Sequence, residues 1–378
     1  MSQYSTDLES IRSLCLQSLP GKYPGGSQEE AKKRLEYELN ILVRLGLAEL
    51  FLKAKEISKF TERKNIICRL VETGCGSLVV YLLGISDVDP LQHKLMFERF
   101  CDPQKRWNPE LTFVVDPQQA KPLVEFVQEC CQHLTIEEEL SYQNLRNTKM
   151  IPYHILDLAC REEKTTDGRL SFRGAIPWEL IPPLVASKQI DLNKIPLDDQ
   201  KTLEVIREGF HLDINPVNHD SEWDLETLQV SSATCIGDIA RSLVRLIEII
   251  KRFDAEDFAY TASDFEALQK RFVYQEQIMT MLHEMGGFEL GEGVDLIQAI
   301  TAKEWPIVNA YREWFIKHAS PTIKPEVAAA LFSQIEVDAN YAISKSQAVA
   351  DAINSYRVVY LSIHYPFEFN ETIEALHS

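Results

Sequence analysis

The sequence predicts an α+β fold, in which a mixed first half with a small sheet is followed by a mostly α-helical second half. Hydrophobic residues make up 45% and charged residues 25% of 378 residues, which suits a globular chain with room for a large core and two or three subdomains. Between 66 and 180, short apolar runs alternate with Gly and Pro breaks. From Pro196 onward, apolar residues recur at helical spacing in one segment after another.

Residues 8–19 read as a helix closed by the turn Pro20-Gly21-Lys22-Tyr23-Pro24-Gly25-Gly26. Ser27, with Glu30 three residues on, has the form of a capping box. Leu35, Leu39, Leu42 and Val43 then give the next helix one buried face. A glycine turn, a helix through 78–83 and a strand over 111–115 follow. Residues 121–146 read as helix, with Leu123, Phe126 and Val127 on one side. Residues 147–180 hold shorter elements broken at Thr165-Thr166-Asp167-Gly168. Helices are expected over 198–209, 233–252, 262–285, 293–317, 324–337 and 344–361. The boundary between the halves is placed near 185–195, giving units 1–190 and 191–378.

No apolar run approaches the roughly 18–20 residues that a membrane span needs. Met1 to Asp7 is polar, so no secretory signal and a cytoplasmic location are expected. The eight cysteines include no C-x-x-C pair and lack zinc-ligand spacing, so buried neutral thiols are expected. The net charge of −18 weighs against nucleic acid as the partner, because gripping a duplex takes several cations on one face. The densest basic clusters, Lys32-Lys33-Arg34 and Lys105-Arg106, read as solvated surface.

Four motifs occur in an informative order. The first is the run from Gly76-Ser77-Leu78-Val79-Val80-Tyr81 through Asp87-Val88-Asp89-Pro90-Leu91 to Phe97-Glu98-Arg99-Phe100, preceded by Arg34-Leu35-Glu36-Tyr37-Glu38-Leu39. The second is Ile195-Pro196-Leu197-Asp198-Asp199-Gln200-Lys201-Thr202. The third is Tyr274-Gln275-Glu276-Gln277-Ile278-Met279 with Gly287-Phe288-Glu289-Leu290-Gly291. The fourth is Ser344-Lys345-Ser346-Gln347-Ala348, then Ser355-Tyr356 and His364-Tyr365-Pro366-Phe367-Glu368-Phe369. Through these motifs most of residues 30–370 resembles the palm and fingers of bacterial replicative DNA polymerase III α subunits, the C family. The resemblance implies a palm-like unit over 1–190 and a fingers-like unit over 191–378. It further implies a homologue reduced to those two parts.

The departures from the family pattern bear on chemistry. In the family, a Pro-Asp-Phe-Asp motif supplies two metal-binding aspartates, for two Mg²⁺ ions about 4 Å apart. Here the motif reads Pro109-Glu110-Leu111-Thr112, so Glu110 and Thr112 stand at those positions, and threonine brings no anionic charge. The strand of the third aspartate matches Leu170-Ser171-Phe172-Arg173-Gly174, with Arg173 at that position. The family's Gly-Arg-Gly-Ser turn, which holds the triphosphate, matches Gly74-Cys75-Gly76-Ser77, with Cys75 for the arginine and Glu72 nearby. Gln298-Ala299 replaces an Arg-Arg pair, and the Arg-Pro-Gly-Pro signature has no counterpart near 236–250. Gly76, Ser77 and Lys345 remain as vestigial nucleotide-binding positions beside Ser346, while Gln347 stands for a histidine. No catalytic residue, metal or cofactor is therefore expected.

Other constellations read as structural. Asp87 and Asp89 are expected to cap or turn the chain. A displaced cluster of Glu110, Asp116, Asp102 and Glu98 would be needed to rebuild a metal site, with Asp157 a further candidate. His154 and Asp157 have no serine or cysteine placed beside them. Trp178, Trp305, Trp314 and Tyr311 are expected to pack in the core.

The resulting expectation is a catalytically inactive polymerase-like protein that acts as a structural or interaction module for a protein partner. In one version its acidic surface mimics nucleic acid. The alternative is a small metal-dependent polymerase, nucleotidyltransferase or nucleotide-binding protein with a rearranged active site.

Overall fold

The structure is a computed structural model that describes residues 3–104, 106–130, 134–139, 157–162, 169–174, 177–211, 227–228, 233–240, 272–319 and 323–377. Three helices open the chain: α1 (Gln3–Lys22), α2 (Ser27–Leu45) and α3 (Ala48–Lys64). Each buries a helical stripe: Ile11, Cys15 and Leu19 on α1, Leu35, Leu39 and Leu42 on α2, and Phe51, Ala54 and Ile57 on α3. The expected capping box does not form. The Ser27 hydroxyl donates back to the Pro24 carbonyl at 3.0 Å, and Gly26 precedes the helix with no side-chain cap. Gly46 ends α2 at φ 79°, a left-handed conformation that glycine adopts without a Cβ penalty.

The sheet has five strands: β1 (Cys68–Val71), β2 (Glu110–Val115), β3 (Leu134–Glu139), β4 (Asp157–Glu162) and β5 (Arg169–Gly174). Their order is β1-β2-β5-β4-β3. The β2–β5 pair is parallel and the other pairs are antiparallel. One face carries Leu70, Leu111, Phe113, Val115, Leu170 and Phe172 into the large core, where Phe113 stacks on Phe172 at 5.5 Å. Ile67, Val71 and Val114 form a smaller cluster with Leu180 of α7 (Pro177–Ala186). The helix expected over 121–146 ends early. It spans α6 (Ala120–Cys130), after short helices α4 (Leu78–Leu82) and α5 (Phe97–Phe100), and β3 follows it. Leu134-Thr135-Ile136 favours a strand once β4 is there to pair with it.

After α8 (Gln200–Glu208) and a two-stranded ribbon, the chain builds a second core from α9 (Gln275–Gly286), α10 (Leu290–Thr301), α11 (Trp305–Ala319) and α12 (Pro325–Asp338). Ile278, Leu282, Leu296, Ile300, Val308, Phe315, Phe332 and Ile335 fill it. The single helix expected over 293–317 is two helices, because Lys303 turns to φ 59° and Pro306 fits only a first helical turn. Most of the expected 233–252 helix and the first part of 262–285 lie outside the described residues. The last helices, α13 (Lys345–His364) and α14 (Pro366–His377), return to the first core through Ala348, Tyr356, Leu361 and Phe369. The second core takes residues from 272–342.

Three further expectations resolve here. Cys15, Cys75 and Cys101 are buried thiols, and burial pushes Cys15 and Cys75 up to about 12, whereas Cys235 is exposed. Trp305 and Trp314 are corrected: they stand 52% and 50% exposed on α11 rather than in the core. Among the described residues, no helix is long and apolar enough to cross a membrane.

Gly293 sets the closeness of α9 and α10, since a Cβ there would lie 2.8 Å from the Met279 Cα. Gly293→Ala should cost about 1–3 kcal/mol by forcing the helices apart. Denaturant unfolding should report this as a lower midpoint.

Candidate functional site

Three chain segments meet at one end of the sheet: the turn Glu72–Gly76 with Ser77, the start of β2, and the start of α13. Gly74 lies against β2, where a Cβ would come 2.9 Å from Leu111 Cδ2 and 3.8 Å from the Glu110 carbonyl. At Gly76 a Cβ would sit 3.0 Å from the Met96 carbonyl and 3.8 Å from Ser346 Oγ. Gly76 thus stands beside the Lys345-Ser346 segment. The Lys345 ammonium donates to the Lys94 carbonyl at 3.4 Å.

The amides at this helix start are already engaged. Ser77 N donates to the Gly74 carbonyl at 3.2 Å, and Val80 N donates to Ser77 Oγ at 3.3 Å. Leu78 N and Val79 N donate to the Glu38 carboxylate at 3.0 and 3.1 Å, and Ser77 Oγ donates to it at 2.8 Å. Glu38 comes from α2, is fully buried and pairs with Arg34 Nε at 2.6 Å. Arg34 also donates from Nη2 to the carbonyls of Gly76 (3.1 Å) and Leu95 (3.2 Å). Burial pushes the Glu38 carboxyl up, against the pull of Arg34 and the three donors. A carboxylate of the chain therefore occupies the place where a helix start would offer its amides to a phosphate.

The start of α13 is closed in the same way. Glu276, buried on α9, accepts from Lys345 N at 3.0 and 2.9 Å and from Ser344 Oγ at 3.1 Å. Burial raises this carboxyl too. Beside it, Arg99 donates from Nε to the Gln275 side chain at 2.7 Å, and burial lowers its pKa.

Strand register shows which residues stand level with Thr112. Across the sheet Val71 pairs with Thr112, Thr112 with Ser171, and Ser171 with Ala159. The Ser171 hydroxyl donates to Thr112 Oγ1 at 3.1 Å. Glu110 lies two residues along β2, in register with Arg169. Arg173 is in register with Val114, so the β5 residue level with Thr112 is Ser171. The next acid in the Thr112 row is Glu137 on β3, three strands and roughly 14 Å away. Among the described residues, no three His, Cys, Asp or Glu side chains are grouped to hold a metal ion.

The other acids are dispersed. Asp89 accepts from Leu91 N and Gln92 N at 2.9 and 3.1 Å, forming the expected turn, and Asp87 pairs with Arg357 of α13. Asp102 binds Arg106, Asp116 accepts from Gln118 N at 3.0 Å, and Glu98 accepts from Tyr37. Asp157 is in register with Glu139 on the edge pair, and His154 lies outside the described residues. Gln298 is exposed on α10 and Ala299 is buried. Sequence reasoning missed Glu38 and Glu276. Their signal was an acid next to the apolar stripe of α2 and an acid inside the Tyr274–Gln277 motif.

Comparison with known proteins identifies the family. The bacterial DNA polymerase III alpha NTPase domain matches residues 9–133, and the finger domain of the same subunit matches residues 183–322. The DNA polymerase III subunit alpha of Bacillus subtilis is 22% identical, over 95% of this chain and 42% of its own length. Its counterpart in Aquifex aeolicus is 23% identical, over 96% and 43%. That of Neisseria meningitidis serogroup B is 22% identical, over 92% and 41%. The chain thus spans about 42% of the length of such a relative. The first two alignments run over 470 and 503 positions against 378 residues here, so those relatives carry extra residues inside the matched span.

Glu38→Gln keeps the shape of the side chain but turns an amide donor toward a nest of donors. It should cost about 1.5–3 kcal/mol. The sign with pH follows from linkage. A carboxyl raised in the folded chain binds its proton on folding, so its contribution is greatest at acid pH and falls as pH rises through the raised value. The difference in Tm between wild type and Glu38→Gln should therefore be widest at acid pH and narrow toward neutrality, as read by thermal unfolding across a pH series.

Proposed function

This chain belongs to the family of bacterial DNA polymerase III α subunits, and from that premise we propose that it keeps the scaffold of a polymerase without its nucleotidyl transfer. The observation that carries the reading is the Val71–Thr112–Ser171–Ala159 row. Two-metal transfer needs several carboxylates converging on two cations about 4 Å apart. This row offers two hydroxyls bonded to each other, with Glu110 one pleat away. The closed helix starts support the same reading, because Glu38 and Glu276 take the amides that would otherwise meet phosphate oxygens.

On this reading the protein acts through its surface, on a protein partner. The net charge of −18 favours a basic partner, and an acidic surface can occupy a groove built for nucleic acid. Such binding is screened by salt.

The deciding experiment is primer extension on a labelled primer–template with all four dNTPs, in Mg²⁺ and then in Mn²⁺, alongside calorimetric titration of each metal. The expected result is no extension and no metal uptake by the wild type. Extension that is lost in Glu110→Gln would overturn the reading and restore the enzyme alternative. It would mean that Glu110 works with carboxylates from residues the sheet row does not include.

A further inference from the structure

We propose that an aromatic strip on α11, rimmed by acids of α10, docks an arginine-bearing basic segment of a protein partner. This rests on the proposed reading that the partner is a basic protein, and it assigns the surface and the side chain that the surface takes. Helix α11 carries two apolar stripes where a surface helix needs one. Val308, Phe315 and Ala319 are buried in the second core. Ile307, Tyr311, Trp314 and His318 recur at i, i+4, i+7 and i+11, so they share a second face, turned about a quarter of the circumference from the first. On that face Ile307, Trp314 and His318 are exposed and Tyr311 is half-buried. Such a strip of large rings marks a contact surface.

The rings are held as a platform. Trp314 Nε1 donates to the Gly286 carbonyl at 3.2 Å, which fixes the indole edge and satisfies its polar atom. The His318 ring stacks on Trp314 with centroids 3.9 Å apart. Phe288 is buried behind them, stacked on Tyr311 at 5.3 Å and tilted against Trp314 at 6.4 Å. Gly286 makes the room for it, since a Cβ there would lie 2.7 Å from the Phe288 ring and 2.9 Å from Phe315 Cδ2. Rings already fixed in place lose little side-chain freedom when a partner arrives.

The rim selects the sign of the partner. Burial pushes the Tyr311 phenol up to about 12, and the Asp295 and Glu292 carboxylates of α10 add to the rise. Burial also raises the Asp295 carboxyl, with Asp102 and Glu292 adding to it, while Arg106 pulls the other way. Arg106 offsets this crowd only in part, because it serves both Asp102 and Asp295. Over residues 272–342 the sequence holds ten Asp and Glu against four Lys and Arg, and Arg312 is already paired with Glu336. Arginine answers both features at once: its planar guanidinium stacks on a Trp or Tyr face, and its charge meets the carboxylates. Nucleic-acid bases also stack on such rings, but their phosphates would be set against these acids. A second copy of this chain would bring acid against acid.

The test is fluorescence anisotropy of the full chain with a labelled Arg-Gly repeat peptide, a Lys-Gly repeat of the same length, and a single-stranded oligo-dT. The wild type should bind the Arg peptide about three- to fivefold more tightly than the Lys peptide and should not bind oligo-dT. Trp314→Ala should weaken the Arg peptide about fivefold and erase the preference for it, while Trp314→Phe should keep that preference. Glu292→Gln leaves an acceptor for the Glu289 amide and should weaken both peptides alike, by about threefold. Trp305→Ala, on the opposite side of α11, should change nothing. Equal affinity of the wild type for the two peptides overturns the inference. So does unaltered binding by a Trp314→Ala variant whose circular dichroism is native, and either result leaves the basic-partner reading in place. A wild type that binds neither peptide overturns both. Uptake of oligo-dT that needs Trp314 assigns the strip to stacked bases instead. Dimerisation in sedimentation that needs Trp314 assigns it to a second copy.

Discussion

The structure depends on one buried ion. Glu38 is fully buried, and a carboxylate in that position must find a cation and donors or give up its charge. It finds Arg34 on its own helix, the Ser77 hydroxyl, and the amides of Leu78 and Val79. Through this one group α2 is tied to the glycine turn and to α4. Arg34 extends the tie to the carbonyls of Gly76 and Leu95. The turn then has a fixed place against β2, where Gly74 leaves no room for a Cβ beside Leu111. Glu276 does the same for α13, and it joins the second core to the first at the point where Tyr274 meets Ile343.

Scaffold and chemistry are separable in this fold because different atoms serve them. The motifs that mark the family hold the turn, the helix starts and the Tyr274–Ile343 bridge in place. Asp89 and Asp199, for example, accept backbone amides at turns and caps. Their partners are main-chain groups that every sequence supplies. The candidate site instead involves side chains projecting from one face of β2 and β5, such as Thr112 and Ser171. Substitutions there leave the register and the apolar face untouched, since Leu111, Phe113, Leu170 and Phe172 point the other way into the core.

Much of this was legible in the sequence, for identifiable reasons. Helices with one apolar stripe, such as α2 and α13, announce themselves by period. The ordered motifs revealed the family even at 22–23% identity, because they lie where backbone geometry leaves little choice. Strands were harder. β3 reads as a continuation of α6 until β4 supplies its partner, and that pairing is not local. Glu38 and Glu276 were missed because a buried charge looks like any surface acid until its donors are seen. Trp305 and Trp314 were misread because bulk alone does not place a side chain inside.

Two features of the candidate site point the same way, and their agreement is what gives the proposed reading weight. An uncharged side chain at Thr112 would by itself leave open a site that binds nucleotide without turning it over. Helix starts closed by Glu38 and Glu276 would by themselves leave open a metal site that takes some other substrate. Here the Ser171 hydroxyl donates to Thr112 Oγ1, and the amides at Leu78, Val79 and Lys345 are satisfied by carboxylates from within the chain. A site whose amide donors are already paired gains less from an anionic ligand, because those bonds must first break. On the proposed reading, the polar groups that once faced a substrate now serve the fold itself, and what this protein does is decided on its outer surface.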